Sequence, residues 1–73
     1  MADFTFDVLE KCGTISKREG WAKELRVVSY NGNEPKYDIR EWNSDDTRMS
    51  KGITLTFEEL TELYTVIGKV LGG

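Results

Sequence analysis

Arg40 and Trp42 stand two residues apart in KYDIREW, residues 36–42, and Lys36 falls on the same alternation. In an extended chain, residues two apart project from one face of a sheet. The segment therefore sets a planar ring beside two cations, with Tyr37 and Ile39 on the opposite face. A half-buried strand normally keeps its large aromatic with its apolar residues; here the ring goes with the charges. The chemistry open to such a face is non-covalent. An unpaired nucleobase stacks on a ring for roughly 1–3 kcal/mol while cations track the phosphates. The segment 21–30 extends the set: with Leu25 and Val27 inward, Arg26 and Tyr30 face the same way as Trp42. Lys23 adds charge on that segment, and Arg48 and Lys51 flank the loop after residue 42. Trp21 is a second ring, better suited to packing than to binding. Trp42 has two other readings: packing on the loop at its strand end, or burial in an interface, where Trp, Tyr and Arg are enriched. From alternation alone the open platform and packing weigh equally.

Other chemistries find little support. The chain has no histidine, which removes the commonest general base, the Ser-His and Cys-His pairs and the commonest metal ligand. No GxxxxGK[ST] or GxGxxG run occurs. The adjacent acids Asp45-Asp46 fall in a polar turn, and Glu58-Glu59 belong to the first turn of a helix. No enzyme activity, metal, cofactor or small-molecule substrate is expected.

With 73 residues there is room for one domain, 1–73, and a core marginal for a chain alone. The single cysteine, Cys12, cannot staple it, so self-association is the cheapest route to stability. A lone cysteine without a signal peptide fits a reducing, cytoplasmic setting. No apolar run approaches the roughly 20 residues of a membrane span. Net charge is −3, but nine of the ten Lys and Arg residues lie in 11–51. Acidic ends thus flank a mildly basic centre, which permits a local anion-binding face.

The elements that must position these residues read as β-β-β-β-α. Strands are expected at about 4–16, 21–30, 36–42 and 51–56, with an irregularity at Gly13. KREG (17–20), NGNEP (31–35) and NSDDTRMS (43–50) connect them; Asn-Gly is a strong hairpin signal. A helix is expected at about 57–71. Thr56 and Glu59 form a capping box, and Phe57, Leu60, Leu63, Tyr64, Ile67, Val70 and Leu71 make one apolar stripe. Gly72-Gly73 ends it. The fold class is α+β: a four-stranded antiparallel curved sheet followed by one C-terminal helix. A helix on one face would leave the other wet or free to bind. The stripe exceeds what a small sheet covers, so Phe57, Leu60, Tyr64, Ile67, Val70 and Leu71 are expected at a dimer interface.

KYDIREW followed by KGITLT across a polar loop, then an acidic helix start, resembles the signature of the positive cofactor four transcriptional coactivator family. GWAKELRVVSYN and EPKYDIREW look more like its short bacterial, YdbC-like branch. The resemblance covers residues 21–71 well and the first strand loosely. It implies a homodimer that binds single-stranded DNA with little sequence preference, in transcription regulation, replication or repair. By the motif, Trp42 is the base-stacking aromatic, and Arg40 and Lys51 match the Arg of DIRE and the Lys of KGI. Tyr30 is the nearest match to a second stacking position. Arg26, Lys23, Lys36, Arg48 and Trp21 complete the candidate nucleic-acid residues. The alternatives are RNA on the same face, or a protein-interaction module.

Overall fold

Asn31 and Gly32 adopt positive φ, 53° and 72°, and the Asn33 amide donates to the Tyr30 carbonyl at 2.9 Å. Two successive left-handed residues make the turn whose twist matches paired strands; Asn and Gly are the residues that tolerate it. In the computed structural model, which describes residues 4–72, this turn joins the second and third of four strands. The elements are β1 (Phe6–Arg18), β2 (Trp21–Tyr30), β3 (Lys36–Asn43), β4 (Ile53–Leu55) and α1 (Phe57–Val70). The strands pair antiparallel in the order β1-β2-β3-β4. The expected α+β class and element order hold. β1 runs on to Arg18, so the first turn shrinks to Glu19-Gly20, and β4 is shorter than expected.

β1 departs most from simple alternation. Its register against β2 shifts at three places, between Val8 and Glu10, Lys11 and Gly13, and Thr14 and Ser16. The irregularity expected at Gly13 is present, with two more beside it. Each bulge inserts a residue and resets which side chain faces which side. Phe6, Val8, Lys11, Thr14 and Lys17 stand opposite Tyr30, Val28, Arg26, Glu24 and Ala22, so all five share one face. Plain alternation would have split the phenylalanine and valine from the lysines.

α1 begins as the sequence dictates. The Thr56 hydroxyl accepts from the Glu59 amide at 3.1 Å, and the Glu59 carboxylate accepts from the Thr56 amide at 2.8 Å. The helix ends at Leu71 and Gly72, whose amides donate to the Ile67 and Lys69 carbonyls; Gly73 lies outside the described residues. Gly52 lets the chain pass directly over β3. A Cβ there would run into the Ile39 carbonyl oxygen and the Arg40 Cβ, with Arg40 Cα at 3.1 Å.

The core lies on the side not expected. α1 packs only on β3 and β4, and none of its residues is buried. Tyr64 is 80% exposed and Leu71 79%. Between helix and sheet runs an apolar groove of about 620 Å³, lined by Ile15, Leu25, Ile39, Leu60, Leu63, Tyr64 and Ile67. The buried side chains Val28, Trp42, Arg26 and Asp38 belong to the opposite face. The helix therefore does not close the face it was expected to cover, and the face expected to be wet is the closed one.

Candidate nucleic-acid interface

Trp42 points away from the helix, as its alternation requires, but it is not an open platform. Only 1% of it is exposed. The Arg26 guanidinium carbon lies 4.2 Å from its ring centroid, and the Phe6 ring packs at 5.4 Å, tilted by 56°. A bridge to Met49 brings the following loop against its backbone. With these groups in place no base can stack on Trp42. Its indole Nε1 has no hydrogen-bond partner among the described residues. The packing reading is the one the geometry supports, because the bulged β1 and the loop cover what the third strand alone would leave bare.

Arg26 and Arg40 share that face and are bound to carboxylates rather than free. Arg40 Nε donates to both oxygens of Asp38 at 2.8 Å, and the Tyr30 hydroxyl donates to Asp38 Oδ2 at 3.0 Å. A fully buried carboxylate is tolerated only when paired and hydrogen-bonded in this way. Burial, together with the Asp38 contact, pushes the Tyr30 phenol up to about 12. Tyr30 is thus a half-buried hydrogen-bond donor, stacked 5.8 Å from Phe4. Arg26 meets Glu24 at 2.6 Å and Asp46 at 3.0 Å, while its Nη1 has no partner among the described residues.

The remaining candidates separate. Lys36 is exposed on the Trp42 face. Lys23 is exposed but stands opposite Glu41 and Ser16, on the helix-side alternation. Arg48 and Lys51 are exposed in and after the loop. Trp21 is half-buried and lies under Arg18, whose guanidinium carbon is 5.7 Å from the ring centroid. Arg18 also forms a two-pronged bond to Glu41 at 2.8 and 2.9 Å; that bond raises the Arg18 pKa and lowers that of Glu41.

A polar hollow of about 330 Å³ opens at this end of the sheet. Lys11, Lys17, Arg18, Trp21, Glu24, Arg26, Trp42, Ser44 and Asp46 line it. Its rim is therefore set by Lys11, Lys17 and Arg18, none of which the alternation of β3 singled out. Lys11 and Lys17 share a face with Arg26 only because of the bulges. Asp46 joins them from the loop: it ion-pairs with Lys11 at 3.1 Å as well as with Arg26. Partial burial raises the Asp46 carboxyl, but the two cations outweigh it and hold it below its ordinary value. Hydrogen bonds from Thr47 lower the neighbouring Asp45.

An open antiparallel sheet with one C-terminal helix and a hollow lined by charged side chains on its far face defines a small α+β domain. A family model described as "Transcriptional Coactivator p15 (PC4)" matches residues 17–66, more than half the chain, and the protein belongs to that family. A relative in Treponema pallidum (strain Nichols), described as an uncharacterized protein, is 41% identical over 69 residues, covering 93% of this chain and 81% of its own. The match includes β2, β3, the loop and most of α1, and begins only at the end of β1.

Proposed function

We propose that the protein is a homodimer that binds single-stranded DNA with little sequence preference. The observation that carries the reading is the cation-rimmed hollow within a domain of this coactivator family. Lys17 meets the phosphates, joined by Lys11 and Arg18 when a phosphate replaces Asp46 and Glu41 as their partners, and Trp21, half-exposed beneath Arg18, is the ring a base would reach. Lys36, Arg48 and Lys51 add exposed positive charge elsewhere on the chain, while the buried Trp42 and Arg26 form the floor of the hollow. Stacking on Trp21 needs an unpaired base, since a duplex hides its base faces. A second copy covers the apolar groove. Ile15 of the sheet and Tyr64 and Ile67 of the helix form one apolar surface across it, too large for a small monomer to leave in water, and a twofold pair would bury it on both chains.

Titration of fluorescent single-stranded and duplex DNA, and of RNA of equal length, at two salt concentrations tests the binding. The single strand binds more tightly than the duplex, and log affinity falls with log salt by about 0.7 for each phosphate neutralised. Equal affinity for duplex and single strand, or an affinity indifferent to salt, overturns the reading; tighter binding of RNA shifts it to that polymer. Light scattering at tens of micromolar gives the mass of two chains. A folded monomer at that concentration removes the dimer.

A further inference from the structure

The hollow contains its own anion. Asp46 Oδ2 lies 3.1 Å from Lys11 Nζ, and Asp46 Oδ1 lies 3.0 Å from Arg26 Nη2. One carboxylate thus bridges a lysine of β1 and an arginine of β2, much as a phosphate with two free oxygens would. The loop is built to hold it there. Asp46 takes the left-handed backbone at φ 60°, which Asp and Asn accept better than most residues. Its amide donates to the Asn43 carbonyl at 3.1 Å. The Asn43 side chain fixes both ends of the turn, donating to the Thr47 hydroxyl at 2.9 Å and accepting from the Arg48 amide at 2.9 Å. Arg26 also has more to give than its acids take, since its buried Nη1 has no partner among the described residues. The charges Lys11, Arg26, Glu24 and Asp46 cancel as a group. Without Asp46 the same cluster carries one net positive charge.

We infer that Asp46 is a built-in competitor for the phosphate backbone: its carboxylate fills the fork between Lys11 and Arg26, and a strand must displace it to reach those cations. The inference rests on the single-strand reading above and adds a control to it. Displacement is feasible because the Asp46 side chain is 34% exposed and that of Lys11 60%, so water and ions reach the pair and it is weakly held. Arg26, by contrast, is covered, and Asp46 is the more exposed of its two carboxylate partners, hence the one a phosphate can replace. The acidic loop therefore holds affinity down and makes it depend on what else competes for the fork.

The test compares Asp46→Asn with Asp45→Asn. Both remove one negative charge, but Asp45 accepts from Thr47 and forms no ion pair among the described residues. Asparagine keeps the shape of the side chain and tolerates the left-handed backbone; Asp46→Gly serves as a second variant that also suits it. Asp46→Asn binds a single-stranded oligonucleotide about 1.5- to fivefold more tightly than the parent, with a salt slope steeper by about 0.7 for one added phosphate. Asp45→Asn shows a smaller gain and an unchanged slope, and Lys11→Ala placed on Asp46→Asn removes the gain. A second arm uses sulfate against chloride at equal ionic strength. Sulfate raises the unfolding temperature of Asp46→Asn more than that of the parent. If sulfate does so but no chain binds the oligonucleotide, the anion fork stands and the single-strand reading falls. If Asp46→Asn and Asp46→Gly match Asp45→Asn in both arms, the competitor is overturned.

Discussion

Trp42→Ala removes the largest side chain of the core, and its cost follows from what surrounds the ring. Truncating a buried aromatic to alanine costs about 3–5 kcal/mol in transfer and cavity terms. Arg26, stacked 4.2 Å from the ring centroid, loses its cation–π partner as well, about 2 kcal/mol or more for a desolvated pair. A chain of 73 residues has a total stability of about 4–11 kcal/mol, so the variant sits at the edge of unfolding. Trp42→Phe is the informative companion. It leaves a ring against Phe6 and gives up no hydrogen bond, because the indole Nε1 makes none among the described residues. Its cost is about 1–2 kcal/mol, that of lost volume in a packed site. Urea unfolding at fixed protein concentration gives both values, with the concentration held constant because a dimer couples association to folding. Oligonucleotide binding under native conditions then falls only as far as the folded fraction falls. If Trp42→Ala shifts stability by less than about 0.5 kcal/mol, as exposed positions do, and still abolishes binding, the ring is a base platform and not a packing residue.

The other expectations concern the strand crossing, the phenol, the rim and the helix. Gly52→Ala forces backbone apart at Ile39 and Arg40 and lowers stability by about 1–3 kcal/mol; an unchanged melting temperature refutes the close approach. The Tyr30 phenol titrates near 12 rather than near its ordinary 10.0. A raised acid pKa means the folded state keeps the proton longer, so its contribution to stability is full below pH 10 and is lost as pH rises toward 12. Unfolding midpoints across that window fall in the parent, and Tyr30→Phe flattens this part of the decline. Trp21→Ala costs binding about 1–3 kcal/mol per site at little cost in stability, while Lys17→Ala lowers affinity and flattens the salt slope; Trp21→Ala binding as well as the parent leaves that ring structural. Tyr64→Asp puts a charge into the apolar groove and yields monomer or unfolded chain in light scattering; an unchanged dimer mass places the interface elsewhere.

The sequence carried the element order because each element has its own local signal. The Thr56–Glu59 capping box and the Asn31-Gly32 turn are complete within a few residues, and both form as read. Alternation also placed Arg26, Tyr30, Arg40 and Trp42 correctly on one face. It could not say what lies on top of that face. Phe6 reaches Trp42 from the far side of β2, and Asp46 reaches Arg26 from a loop; both contacts depend on tertiary register. The missed lysines have a sharper cause. Three bulges convert the rhythm of β1 from two residues to three, and no residue type other than Gly13 marks where they fall. The helix misled for the opposite reason. Its stripe is real, but the chain alone does not bury it, and apolar periodicity gives the direction of a contact without its partner.

The bulges of β1 bear on how well the sheet margins would accept another chain's strand. β1 is one margin of the sheet and β4 is the other. A free margin with an even ladder of amides and carbonyls is a template for the next molecule's strand, and so for fibres. On β1 the pairing with β2 shifts at three places, and the bulges there make the outward backbone of β1 uneven for an incoming strand. β4 offers only three residues, Ile53–Leu55, before the chain turns into α1. Neither margin suits growth by strand addition. In the proposed dimer, by contrast, contact at the apolar groove about a twofold axis would close after two copies and leave nothing for a third to extend.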